Sequence, residues 1–431
     1  TPTMPPAKTT TGKSKAVGVA NPFQGVDFWP LTFFLMMALL PFQIRVPMAN
    51  SLITLNTMDL LALVVMINFT VIQRLNHQLK SIWQDRLTWL GIIGIVFMIV
   101  LGWVVGWLRF GSNEWATANR LMGLIPIISY LFAGAALRHY LSSAMRQKLA
   151  LVFAFSIITS IAVKVVAYNM LGINADIYFN WNAHLQGFIA DRNAFSFICA
   201  FSIIFLVLHI DWANPREKYR QIAAILITII ATNMFFVGSR SGAGAAIVIA
   251  LWLCWSMRKH LHIILMTSFF TVVAIMVINA LAAKLGNTIT FMDGRNIINL
   301  IEIETPRRIS LESGYTLFKA YPIFGGGLGA GIRETGLVIH NLYLWILGEM
   351  GLIGAALCMP MVLAFLRTIW HAITRPGLAL SQHATLHGLV LFIVISGGFS
   401  LVQDISYQRI LWLMIGFLMA RPMIHKDTTK N

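Results

Sequence analysis

Charge is scarce in this 431-residue sequence: 11% of residues are charged and 58% hydrophobic, with only 16 Asp and Glu. Soluble proteins average about 25% charged residues, and a chain this apolar cannot cover its surface with polar groups, so a water-soluble fold is excluded. Cysteine is equally sparse. Cys199, Cys254 and Cys358 each lie in an apolar run without a CxxC spacing, which excludes a disulfide framework and a zinc site. The first 24 residues are polar, carry Lys8, Lys13 and Lys15, and lack the apolar core and small-residue cleavage site of a signal peptide. The strand alternation of an outer-membrane barrel is missing, so the apolar runs are helices.

What the sequence does contain is a succession of such runs: 28–44, 51–72, 87–107, 121–137, 149–171, 193–211, 221–237, 242–257, 261–283, 340–366, 384–402 and 408–420. Each bilayer crossing takes about 20 residues. The expectation is therefore an all-α polytopic membrane protein with about 12 transmembrane helices and one long, partly helical outer loop. The domains read as a disordered cytoplasmic tail (1–27), helices 1–9 (28–283), a long outer loop (284–339), helices 10–12 (340–420) and a cytoplasmic tail (421–431). The formal charge of +16 would suit nucleic acid in a soluble protein. Here, with residue 1 assigned to the cytoplasm, 19 of the 32 Lys and Arg fall on inner segments and six of the others in the single loop 284–339. The positive-inside rule accounts for that excess, so membrane lipid is expected as a partner and nucleic acid is not. A connection as long as 284–339 is functional or disordered. Leu311, Tyr315, Phe318 and Tyr321 recur at helical spacing before Pro322, predicting an amphipathic helix in a folded cap.

Candidate chemistry gathers on the outer face. Asp191-Arg192-Asn193 ends one outer loop, Gly238-Ser239-Arg240-Ser241-Gly242 forms a tight outer turn, and Ile339-His340-Asn341 ends the long loop. Arg240 has little freedom in so short a turn, and a planar guanidinium suits bidentate capture of phosphate; an anchor to lipid headgroups is the alternative. Arg192 either joins such a site, pairs with Asp191 or holds the loop before it. Arg307 and Arg308 face an anion or are solvated loop charges. His340 opens a span below the cap, where a histidine can take a proton near neutral pH or simply cap the helix; His184 is the other outer histidine. The run Gly325 to Gly331 is a tight turn or an anion-binding nest of N–H groups. Asp59 and Lys164 stand inside spans, as a structural ion pair or as part of a proton path. Asp176, Asp191, Asp293 and Glu349 are scattered, so no metal and no cofactor is expected.

The stretch Arg307-Arg308-Ile309-Ser310-Leu311-Glu312-Ser313-Gly314-Tyr315 through Tyr321-Pro322-Ile323-Phe324-Gly325-Gly326-Gly327-Leu328-Gly329 is similar to the O-antigen ligase and polymerase superfamily. So are His340-Asn341-Leu342-Tyr343-Leu344, Glu349-Met350-Gly351-Leu352-Ile353-Gly354 and the Gly-Ser-Arg-Ser-Gly turn. The resemblance covers residues from about 190 onward in motif and the rest in hydropathy. It departs where the family often has leucines after the turn arginine, since Gly242, Ala243, Gly244 and Ala245 follow here. The resemblance implies a bacterial inner-membrane glycosyltransferase with its site facing the periplasm. Its donor would be a glycan linked to undecaprenyl pyrophosphate. Arg192, Arg240 and Arg308 would hold the pyrophosphate, Arg307 and Asn341 would support the site, and His340 would act on the acceptor hydroxyl. The ligase branch, which places O-antigen polysaccharide on lipid A-core, is the expectation. The polymerase branch is the alternative within the family, and a lipid or glycan transporter the alternative outside it.

Overall fold

The structure is a computed structural model that describes residues 28–48, 51–167, 187–189, 191–212, 219–284, 305–374 and 382–421. Each of the twelve apolar runs carries a helix. In order these are α1 (Phe28–Leu39), α2 (Asp59–Leu75), α3 (Leu87–Phe110), α4 (Leu124–Tyr140), α5 (Ser143–Val165), α6 (Arg192–His209), α7 (Arg220–Phe236), α8 (Arg240–Ser256) and α9 (Leu261–Lys284). There follow α10 (Thr305–Ala320), the short α11 (Ala330–Thr335) and α12 (Leu342–Trp345), then α13 (Gly351–Thr374), α14 (Gln382–Val402) and α15 (Arg409–Met419). Among the described residues six helical segments are long and apolar enough to cross a membrane: Leu87–Phe110, Ala116–Tyr140, Ser143–Val165, Arg192–His209, Arg258–Ile278 and Leu342–Thr374. Large apolar side chains such as Phe97, Phe155, Leu251, Phe269, Phe270 and Trp370 stand exposed on the helix bundle, as a lipid solvent permits and water does not.

A short hairpin joins α1 to α2. Strands β1 (Gln43–Met48) and β2 (Ser51–Asn56) pair antiparallel, Gln43 opposite Asn56 and Met48 opposite Ser51. The apolar run 51–72 therefore divides. Its first six residues are strand, and the helix starts only at Asp59. Asn56 enforces the break: its Nδ2–H donates to Leu40 O at 2.7 Å, its Oδ1 accepts the Met58 N–H at 2.9 Å, and its N–H goes to Asp59 Oδ2 at 3.1 Å.

Helix α6 is the axis of one half of the bundle. It is buried on nearly all sides against α5, α7, α8 and α14, whereas α4 is enclosed by α2 and α15. Small residues set the closest approaches. A Cβ added at Gly134 of α4 would lie 1.9 Å from Leu413 O of α15, and one at Gly416 of α15 would lie 1.9 Å from Leu131 O. The α3–α13 contact is similar, with Gly94 against Leu357 O. Backbones that meet this way gain dispersion contacts in a medium without hydrophobic drive between helices.

The helices alternate in direction, so their ends form two layers. One holds the hairpin, residues 110–123, 187–189, 191–193, 237–241, 321–341 and 403–409. The other holds 76–86, 140–143, 209–212, 219–220, 257–260 and 419–421, where Gln84 N–H donates to Met419 O and Arg421 N–H to Ile82 O. The ion pair of Asp59 with Lys164 that the sequence suggested does not form. Asp59 lies in the first layer and takes a two-point ion pair from Arg409, Nε–Oδ1 2.5 Å and Nη2–Oδ2 2.7 Å, because α15 packs on α4 beside α2. Lys164 is buried near the end of α5. Gly134→Ala and Gly416→Ala should each destabilise the bundle by about 1–3 kcal/mol through overpacking. Gly397→Ala, with open space at its Cβ, should not. Thermal unfolding in detergent separates these outcomes.

Candidate functional site

Two helix N-termini meet in the first layer. Asp191 caps α6, its Oδ1 accepting the N–H groups of Asn193 at 2.6 Å and Ala194 at 3.0 Å; Ser239 caps α8, its Oγ accepting the Gly242 N–H at 3.0 Å. Asp and Ser are favoured caps because their side-chain oxygens satisfy N–H groups the helix leaves open. Gly238 at φ 79° lets the chain reverse between α7 and α8. The first residue of each helix is an arginine, Arg192 on α6 and Arg240 on α8, both half-buried. Ser239 Oγ–H also reaches Asn193 Oδ1 at 2.7 Å, which ties the two starts together. The glycine and alanines after Arg240 have a steric reason as well: a Cβ at Gly242 would sit 2.3 Å from Ser196 Oγ on α6. Leucine there would push the two N-termini apart.

His340 and Asn341 belong to the same layer. The His340 N–H donates to Ser310 Oγ at 2.9 Å, and that hydroxyl donates to Val338 O at 2.9 Å, so the end of the loop is fastened to α10. The histidine side chain is exposed. Asn341 caps α12 through Leu344 N–H at 2.9 Å and donates its amide to Leu401 O at the end of α14, 2.8 Å away. Two residues earlier on α14, Phe399 packs edge-on against Phe197 of α6 with ring centroids 5.1 Å apart. A run of contacts thus connects His340 and Asn341, through α14, to the helix starts bearing Arg192 and Arg240.

Helix α10 forms where the spacing predicted it, with Pro306 in its first turn and its end before Pro322, but it buries a different face. Ser310, Ser313, Gly314 and Leu317 turn inward, while Tyr315 is exposed and Leu311 and Phe318 are half-buried. Small residues win here because Gly314 abuts the backbone of Gly348 and the side chain of Leu344. Arg308 is 67% exposed and lies 3.5 Å from Glu312 one turn on, a solvated pair on the helix surface. The Arg307 side chain, Asp176, His184 and Asp293 lie outside the described residues.

The residue that sequence reasoning passed over is Glu349. It is 2% exposed, and its carboxylate fills the glycine turn. Oε2 accepts Gly329 N–H at 2.9 Å and Trp345 Nε1–H at 2.9 Å, and Oε1 accepts Gly331 N–H at 3.2 Å. Gly326 and Gly327 donate to the carbonyls of Gly348 and Glu349 at 2.7 and 2.9 Å. Positive φ at Gly325, Gly327 and Gly329 (69°, 95° and 83°) curls the N–H groups inward. The glycine run is therefore both a turn and a nest, and its anion is the protein's own. Beside it Arg120 pairs with Asp404 at 2.5 Å, side chains 7% and 6% exposed, under the rings of Trp115, Trp345 and Tyr407. Burial pushes the Tyr407 phenol above its ordinary range. Arg109 donates to Gly325 O and lies 4.0 Å over the Tyr321 ring. A lone acidic residue in an apolar run was the available signal, since such a residue requires a partner.

Chemically, two arginines on paired helix N-termini form an electropositive patch suited to an anion. Among the described residues no three His, Cys, Asp or Glu side chains gather as metal ligands. No model of a known protein family matches the chain, and no curated protein matches it at significant similarity.

Glu349→Ala removes three hydrogen bonds to a charged acceptor, each of a kind worth about 1.5–3 kcal/mol. It should speed amide exchange at Gly329 and Gly331 by at least about tenfold, with Glu349→Gln intermediate. Hydrogen exchange read by mass spectrometry checks this, and unchanged exchange at those glycines would refute the nest.

Proposed function

We propose that this protein is a polytopic membrane glycosyltransferase of the O-antigen ligase type. It moves O-antigen polysaccharide from undecaprenyl pyrophosphate to lipid A-core at the periplasmic face of the bacterial inner membrane. The observation that carries the reading is the Ser239–Asn193 hydrogen bond, which holds the arginine-bearing starts of α6 and α8 side by side in the layer that also contains His340. The motif resemblance supplies the reaction. The chain crosses the bilayer about twelve times, with both termini cytoplasmic and 284–339 periplasmic.

In this reading Arg192 and Arg240 clamp the donor pyrophosphate, helped by the helix N-termini behind them. They offset the charge that grows on the pyrophosphate as its bond to the anomeric carbon breaks. His340, exposed at the mouth of the cap, accepts the proton of the acceptor hydroxyl as that oxygen attacks from the opposite face, and the anomeric centre inverts. Asn341 keeps the start of α12 in register with α14. Arg308 sits on the surface of α10 with Glu312 and would have to leave that pair to reach the donor. No metal is required for the arginines to neutralise the leaving group. Reconstitution with carrier-linked glycan and lipid A-core tests the assignment: a ladder on lipid A-core is expected, whereas extension only of carrier-linked glycan would make the protein a polymerase.

The two halves of the site should fail differently. Arg240→Ala should weaken donor binding by about 2–5 kcal/mol, with partial recovery in Arg240→Lys, which restores charge without the planar fork. His340→Ala should leave donor affinity nearly intact and slow turnover by about 10²- to 10⁴-fold. Donor affinity measured beside single-turnover transfer distinguishes the two roles, and unimpaired transfer by His340→Ala removes that side chain from the chemistry.

Orientation has its own test. Glu334→Cys, at an exposed position of α11 in a background without the native cysteines, should react with a membrane-impermeant maleimide applied from the periplasm. Reaction only after the cytoplasm is opened would reverse the topology.

A further inference from the structure

The second layer of helix ends carries a pair of arginines that no part of the proposed reaction uses. Arg138 ends α4 and Arg146 lies in the first turn of α5, each four residues from Ser142 at the α4–α5 junction. Both guanidinium groups lie against one ring, with Arg138 Cζ 5.3 Å and Arg146 Cζ 5.8 Å from the centroid of Phe417 on α15. Behind that ring His209, 7% exposed, stands 5.2 Å from the same centroid with its Nδ1 at 2.8 Å from Phe205 O. The arginines use single amino groups on carbonyls at helix ends: Arg138 Nη1 on Phe417 O at 3.4 Å, and Arg146 Nη1 on Leu141 O at 2.6 Å and Arg138 O at 3.3 Å. The Nε of each is buried and makes no hydrogen bond among the described residues.

Among the described residues no ion pair joins either guanidinium to a carboxylate; the arginines that do form such pairs include Arg120 with Asp404 and Arg409 with Asp59. A helix C-terminus supplies about half a negative charge, so the carbonyls of α4 and α15 offset only part of two full positive charges. Both side chains are half-buried at helix ends, at the depth where aromatic residues mark a membrane boundary; Trp29 stacks on Tyr140 nearby at 4.3 Å. We propose that Arg138 and Arg146 form a binding site for the phosphate of an anionic phospholipid headgroup between α4, α5 and α15. Guanidinium forks match phosphate oxygens, and basic pockets between membrane helices take anionic headgroups at about 1 kcal/mol per basic residue. The acyl chains of that lipid would lie along the exposed apolar flank of the bundle.

The test is native mass spectrometry of the full-length protein titrated with phosphatidylglycerol or phosphatidylcholine, supported by thermal unfolding. Wild type should retain phosphatidylglycerol in preference to phosphatidylcholine. Each arginine replaced by glutamine should cost about fivefold in that affinity, and Arg138→Gln/Arg146→Gln about 25-fold. Arg258→Gln, an exposed cation in the same layer, should change nothing. Inorganic phosphate alone should neither displace the lipid nor raise the unfolding temperature. Equal retention by the double variant and wild type overturns the proposal, as does stabilisation by inorganic phosphate equal to that by phosphatidylglycerol, which would mark a site for the free ion. Should the double variant not fold, wild type and Arg146→Gln decide: absence of a phosphatidylglycerol preference in wild type, or an unchanged preference in Arg146→Gln, rejects the site.

Discussion

A buried carboxylate inside a curl of glycine amides is the constraint on which the upper part of the bundle rests. Without Glu349, the N–H groups of Gly329 and Gly331 would point into an apolar interior, where an unmet donor costs about 1–3 kcal/mol. With it, the turn that follows α10 is fastened to the helix that leads into α13. The same turn reaches α3 through Leu328 N–H on Gly102 O and through the Arg109 contacts, so three segments distant in sequence share one joint. Arg120 and Asp404 stand beside that joint as a closed ion pair. The site layer is thereby rigid where it meets the membrane helices, and the exposed His340 lies at the end of a segment held from both sides.

The arginine-bearing helix starts obey a different logic. Nothing about them needs a deep core; they need two backbones to approach and two caps to agree. Gly242 and Ser196 provide the approach, and Ser239 provides the agreement by bonding to its own helix and to Asn193 at once. Local rules for capping and for small residues at helix crossings therefore assemble a charged patch from segments nearly fifty residues apart.

Much of the architecture was legible because its signals are local. The apolar runs mark the helices, Pro306 and Pro322 bracket α10, and Gly238 to Gly242 reads directly as a capped turn carrying an arginine. Other features depend on partners that sequence spacing cannot name. Asp59 finds Arg409, 350 positions away, and not Lys164. Glu349 finds glycines 18 and 20 positions earlier. The hairpin in front of α2 hides inside an apolar run because β-branched residues such as Ile53 and Thr54 are compatible with either state. Helix α10 turns a neighbouring stripe inward, Ser310, Ser313, Gly314 and Leu317, because packing against Gly348 rewards small side chains over aromatic ones.

The segment Ile346–Met350 is wound as a π-helical turn between α12 and α13, and Glu349 lies within it. Successive helical residues are rotated by about 100°, so one residue added or lost between Asn341 and Glu349 would swing the carboxylate out of the glycines. The same slip would leave Asn341 in place on α14. The span of eight residues between cap and carboxylate thus acts as a fixed ruler: side chains along it can be exchanged, but insertions and deletions there are excluded by geometry.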